Sequence, residues 1–152
     1  MPYKQPRSVQ VVLFAETPRG REYLLLRRVD SHGGFWQTVT GSLEAGETHT
    51  DAAIREVYEE TGYQPHHDAL IPLGIVNRFE IAPQWRVKYA PDVTHNEEVC
   101  FALEVARQDV LIDPVEHDAF VWVDYDTAAQ MIYWESTRRA LEAVADLPPS
   151  GA

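Results

Sequence analysis

Apolar residues along the chain fall into short blocks with two different periods. Val9 to Phe14 is a compact apolar run rich in β-branched residues, which predicts a buried strand. Thr17, Pro18 and Gly20 then mark a turn, and Tyr23 to Leu26 reads as the hairpin partner. Ser31 to Gly34 is a loop. Ala52, Ala53, Ile54 and Val57 supply apolar contacts for a helix over 49–60. Thr48 with Asp51 forms a capping-box pattern at its start, and Gly62 suits a left-handed stop. Leu70 to Phe79 predicts another strand. Val99, Phe101, Leu103 and Val105 alternate as in a strand with one buried face, and Phe120 to Val123 predicts a shorter one. Ala140, Leu141, Val144 and Leu147 return to helical spacing. Strands interleaved with two helices predict a sheet covered on both faces.

The 152 residues suit one domain, over 1–147, followed by a Pro/Ser/Gly-rich tail at 148–152 expected to be disordered. With 24 acidic against 13 basic side chains the formal net charge is -11, which disfavours a nucleic acid polymer as partner. The single cysteine, Cys100, excludes an intramolecular disulfide and fits a reducing compartment. No stretch has the length and apolarity of a signal peptide or membrane span, so a cytoplasmic, membrane-free location is expected. The six histidines lack zinc-type spacing.

The segment GSLEAGETHTDAAIREVYEETGY, residues 41–63, carries the chemistry. On a helix, Glu56 and Glu60 project from one face about 6 Å apart along the axis, and Glu59 flanks them. Such carboxylates repel by roughly 0.2–0.5 kcal/mol per pair unless neutralised. A hard divalent cation does this; a merely solvated acidic face is the other reading. Arg55 sits within the cluster and can pair with Glu47 of the preceding loop, where Gly41 and Gly46 allow tight turning.

Gly41, Glu47, Arg55, Glu56, Val57, Glu59, Glu60, Gly62 and Tyr63 fill every fixed position of a pattern that resembles the Nudix box, G-x5-E-x7-R-E-U-x-E-E-x-G-U, with Tyr63 an aromatic variant of the last apolar position. A chance match in one window has a probability on the order of 10⁻⁹. The resemblance implies an α+β Nudix fold, a mixed β-sheet sandwiched between α-helices, with the box as loop–helix–loop. It implies hydrolysis of a diphosphate linkage with Mg²⁺, for which Mn²⁺ can substitute. Glu56 and Glu60, with Glu59, are the implied metal ligands, and Arg55 with Glu47 the implied orienting pair. The general base is left open between Glu116 and Glu98, Glu116 being favoured as a loop residue and as a further metal ligand.

Outside the box, FWQTVTGSLEAGE (35–47), KYAPDVTHNEE (88–98), Glu116-His117 and Trp134-Glu135-Ser136 resemble Nudix members that convert dihydroneopterin triphosphate to the monophosphate and pyrophosphate, a step of folate biosynthesis. Ser31–Gly34 and 75–85 depart from that pattern. The expected partner is therefore a small nucleoside- or pterin-triphosphate. Arg28, Arg86 and Lys88 are candidates for phosphate oxygens, and Trp36, Phe35 and Tyr89 for stacking on a flat heterocycle. Trp122 and Trp134 are expected in the core. Other substrates within the family are dATP, an oxidised nucleotide or a dinucleoside polyphosphate; a non-catalytic nucleotide-binding module is the reading from another class. A homodimer is compatible with all of these.

Overall fold

A computed structural model describes residues 3–149. Seven strands and three helices succeed one another as β1 (Arg7–Thr17), β2 (Gly20–Arg28), β3 (Trp36–Gln37), β4 (Val39–Ser42), α1 (His49–Thr61), β5 (Ile71–Glu80), β6 (His95–Glu104), β7 (His117–Val123), α2 (Tyr125–Met131) and α3 (Glu135–Ala145). The main path across the sheet is β3-β2-β1-β6-β5. β1 lies parallel to β6 and antiparallel to β2 and β4, so the sheet is mixed. β4 takes the first half of one edge of β1, from Ser8 to Val11, and β2 takes the second half. β7 pairs along β2.

Alternation along β1 sorts the core into two layers, because successive side chains point to opposite faces. Val9, Val11 and Leu13 join Ala52, Ala53 and Val57 of α1, with Phe101 and Leu103 of β6. Val12 and Phe14 join Ala128 of α2 and Ala140, Leu141 and Val144 of α3, with Cys100 and Ala102 of β6. The sheet therefore lies between α1 on one face and α2 and α3 on the other, the α+β sandwich that the strand and helix patterns imply.

Local rules hold at the ends of α1. The Thr48 hydroxyl accepts from the Asp51 N–H at 3.1 Å, and the Asp51 carboxylate accepts from the Thr48 N–H at 3.1 Å. Gly62 closes the helix with φ 86°, a left-handed conformation that an L side chain resists. β3, β4 and α2 carry no periodic signal strong enough to predict them. The Ser31–Gly34 loop begins with a 3₁₀ turn at Asp30–His32. Leu147 lies beyond α3, which ends at Ala145. Of the expected disordered tail, Pro148 is tied down, its carbonyl accepting from Arg21 Nη2 at 3.2 Å, while residues 150–152 lie outside the described residues. Among the described residues no helix is long and apolar enough to cross a membrane.

Candidate active site

The box helix presents its acidic face to the loop before it, and Arg55 joins the two. Its guanidinium donates Nε to Glu47 Oε2 at 2.8 Å and Nη2 to Glu47 Oε1 at 2.9 Å, a bidentate pair. Nη2 also reaches the Ser42 carbonyl at 2.9 Å, and Nη1 the Glu56 carboxylate at 2.7 Å. Glu47 in turn accepts from the Glu44 N–H at 2.7 Å, which folds the loop onto the helix. Hydrogen bonding from Arg55 is the main reason the Glu47 carboxyl is held below the usual carboxylate range. Glu47 and Arg55 thus form the contact that their spacing anticipates.

Glu56 and Glu60 come together behind this clasp. Glu60 is 5% exposed, and its Oε1 is buried without a hydrogen-bond partner. Burial pushes its pKa well above the usual range, and proton sharing with Glu56 raises it further. Burial also raises Glu56, opposed by its hydrogen bonds to Glu60 and Arg55. A buried pair of carboxylates keeps a proton unless a cation replaces it, because an unpaired ion taken out of water costs several kcal/mol. Gly41 of β4 packs directly on Glu56: a Cβ there would overlap the Glu56 carboxylate. Glu59 lies apart, half-exposed, with Arg55 Nη1 at 3.3 Å.

Residues distant in sequence complete the surroundings. His117 of β7 is buried, 3.7 Å from Glu60 Oε1, and its Nε2 lies 3.2 Å from Gln37 Nε2. Burial, then the charge of Arg28, lowers its pKa to about 4, so the ring is neutral at physiological pH. A neutral ring that accepts from Gln37 at Nε2 carries its proton on Nδ1, which is buried and unpartnered. Glu116 sits in the turn before β7, with Oε2 3.3 Å from Arg28 Nη1 and 3.5 Å from His32 Nδ1. Lys4 also faces this group. Although its stem is on the surface, packing around its ammonium lowers its pKa, followed by repulsion from Lys88 and Arg28 and against attraction from Glu56 and Glu116.

Lys4, Gln37 and His117 are not among the candidate residues; Gln37 and His117 lie in segments whose resemblance to Nudix members is the signal that could have found them, while no motif or period points to Lys4. Lys4 is also 5.8 Å from the ring centre of Tyr89, so Tyr89 lies under the amine and is 9% exposed. Arg86 holds its own segment, ion-paired with Glu80 at 3.3 Å and donating to the Ile81 carbonyl. Trp36 is half-buried against the α3-side core. Trp122 packs on the α1-side core. Trp134 departs from the core position expected of it: it is 41% exposed and forms an aromatic group with Phe35 and Tyr133, because the link between α2 and α3 runs over the sheet edge. Glu98 lies on the other face of the sheet from α1. Its partners are Gln10 and Asn77, and Asn77 in turn accepts from Arg139 of α3 at 2.9 Å.

The donor set around Glu60 fits a hard divalent cation. It offers carboxylate oxygens, one of them buried and unpartnered, with the neutral His117 ring 3.7 Å from that oxygen. Among the described residues no three His, Cys, Asp or Glu side chains form a ready-made cage.

A protein-family model described as the NUDIX domain matches residues 4–144. The chain belongs to the Nudix family. Nudix hydrolases use divalent metal ions, which accords with the acidic pair in the box helix. This Nudix protein is 42% identical over 144 residues to the dihydroneopterin triphosphate diphosphatase of Escherichia coli K12, covering 92% of each chain. It is 37% identical to the enzyme of the same name from Haemophilus influenzae, covering 93% of this chain and 89% of that one. Its fold matches the solved structure of the E. coli dihydroneopterin triphosphate pyrophosphohydrolase with a TM-score of 0.79, covering 93% of this chain and 96% of that one at 38% identity. A Nudix hydrolase structure from Listeria monocytogenes matches with a TM-score of 0.77 at 26% identity.

Proposed function

We propose that this Nudix protein hydrolyses dihydroneopterin triphosphate to dihydroneopterin monophosphate and pyrophosphate, with Mg²⁺ held by Glu56 and Glu60 and with Mn²⁺ able to replace it. The observation that carries the reading is the buried Glu56–Glu60 pair, with its unpartnered oxygen, beside the cations Arg28 and Lys4. Acidic oxygens for a metal next to basic groups for phosphates suit an anhydride better than any neutral substrate. The near-full-length similarity to two dihydroneopterin triphosphate diphosphatases supports the substrate.

When bound, the cation neutralises phosphate charge and acidifies water. The protein supplies position. Arg55 clamps Glu47 and turns Glu56 toward Glu60. Arg28 and Lys4, with Lys88 behind, bind the phosphate oxygens. Glu116, held by Arg28, accepts the proton of the attacking water and would be a further residue to hold the cation. Glu59 and Arg86 lie outside this inner group, Glu59 pairing with Arg55 and adding its charge to that near Glu56.

Pyrophosphate release is to be measured with dihydroneopterin triphosphate and dATP, with and without Mg²⁺, and the products separated by liquid chromatography. Mg²⁺-dependent turnover, faster on the pterin, is expected. Exchange of Glu56→Gln or Glu60→Gln is expected to lower turnover by about 10³-fold with an unchanged circular dichroism spectrum. Near-normal turnover in either variant would take that residue out of the metal site.

A further inference from the structure

One patch of the sheet buries polar side chains where its neighbours bury apolar ones. On the α3 face, Val12 and Phe14 of β1 and Cys100 and Ala102 of β6 are core. Toward the start of these strands the same face carries Gln10 of β1, Asn96 and Glu98 of β6, Asn77 of β5 and Thr38, all 7% exposed or less. Buried polar groups are costly unless their hydrogen bonds are met.

The hydrogen bonds in this floor have a direction. The Thr38 hydroxyl donates to Gln10 Oε1 at 2.9 Å, which turns the Gln10 amino group toward Glu98 Oε1 at 3.2 Å. Arg139 donates to Asn77 Oδ1 at 2.9 Å, which turns the Asn77 amino group to the same oxygen at 3.0 Å. Both amides thus converge on Oε1, and among the described residues Glu98 Oε2 accepts no hydrogen bond. Asn96 donates to Ser8 Oγ at 2.7 Å, leaving its Oδ1 buried and unpartnered. Two acceptors in one floor therefore lack donors. Phe79, directly opposite Asn96 on β5 and so on the same face, leaves its ring 44% exposed beside them.

The floor adjoins the phosphate-binding side by a single residue. Thr40 and Gly41 are consecutive on β4, so they face opposite sides of the sheet. Gly41 packs on Glu56, while Thr40 pairs with Gln10. The other edge of β4 pairs with no strand among the described residues, so a ligand with phosphates beside α1 and a ring beside α3 would pass around that edge.

We propose that this floor is the heterocycle subsite, in which Glu98 Oε2 and Asn96 Oδ1 accept the N–H and amino hydrogens of a 2-amino-4-oxo ring. This rests on the pterin reading above and names the residues that select the ring. A 2-amino-4-oxo ring carries an N–H and an NH₂ as donors on one edge, whereas adenine offers no such edge. Glu98 is then a specificity residue, not the general base.

The test compares wild type and Glu98→Gln on dihydroneopterin triphosphate, dGTP and dATP, since guanine carries the same donor edge as the pterin. Expected is a fall in kcat/KM of about 10²-fold or more for the pterin and dGTP, with dATP changed by less than about threefold. A uniform fall on all three, or no fall on any, overturns the inference and leaves Glu98 a structural residue. Asn96→Ser, which shortens the second acceptor, is measured alongside in case Glu98→Gln does not fold. A selective fall of about tenfold supports the subsite, and a uniform one overturns it. If wild type fails on dihydroneopterin triphosphate yet Glu98→Gln selectively loses dGTP, the substrate proposal falls and the role of Glu98 stands.

Discussion

Gly41 and Glu56 meet with no room for one methyl group. The Gly41 backbone is not in the left-handed region, so substitution acts through contact alone. Gly41→Ala is expected to push the Glu56 carboxylate aside and lower kcat about 10²-fold, the scale of a displacement near 1 Å. Overpacking would cost about 1–3 kcal/mol of stability, read from thermal melting. Unchanged kinetics in a folded variant would detach Glu56 from turnover. Glu56, Glu60, Arg55 and Glu47 were legible in the sequence because helix spacing and a short loop dictate their geometry. The placement of Lys4, Gln37 and His117 was not: sheet pairing brings Gln37 and His117 in from distant segments, and a backbone hydrogen bond to the Lys88 carbonyl holds Lys4.

The box helix depends on its ends as much as on its acidic face. The reciprocal Thr48–Asp51 bonds satisfy N–H groups that would otherwise lack partners at its first turn. Thr48→Ala is expected to cost about 1 kcal/mol, lowering Tm by about 2–4 °C in a chain of this size. A loss confined to stability, with turnover kept at low temperature, would place the cap in folding alone. This helix was readable because capping and periodicity are local. β4 was not: its four residues are too few to show an alternation and include Gly41, a poor strand former, and they pair because β1 offers an open edge from Ser8 to Val11. α2 is likewise short, started by Asp124 capping the Thr127 N–H at 2.9 Å.

For the molecule as a whole, a cation bound by Glu56 and Glu60 links activity to stability. A ligand that binds only the folded state stabilises it, by about 2.7 kcal/mol at a hundredfold its dissociation constant. Adding Mg²⁺ in place of a chelator is therefore expected to raise Tm by several degrees. Glu60→Gln should abolish that rise and melt no lower than wild type in chelator, because it removes a buried acid. A Mg²⁺ shift that survives this substitution would place the ion elsewhere.

What the amino-acid order determined by itself was everything set by neighbours in sequence: the capped box helix, the Arg55–Glu47 clasp, the acidic pair and the alternating strands. These follow from periods of 3.6 and 2 and from turn chemistry, which need no distant contact. Tertiary structure alone decided the face on which each carboxylate lies. A strand turns successive side chains to opposite sides, and only the packing of α1 and α3 tells one side from the other. Glu116 therefore meets Arg28 beside the acidic pair, while Glu98 faces Gln10, Asn77 and α3.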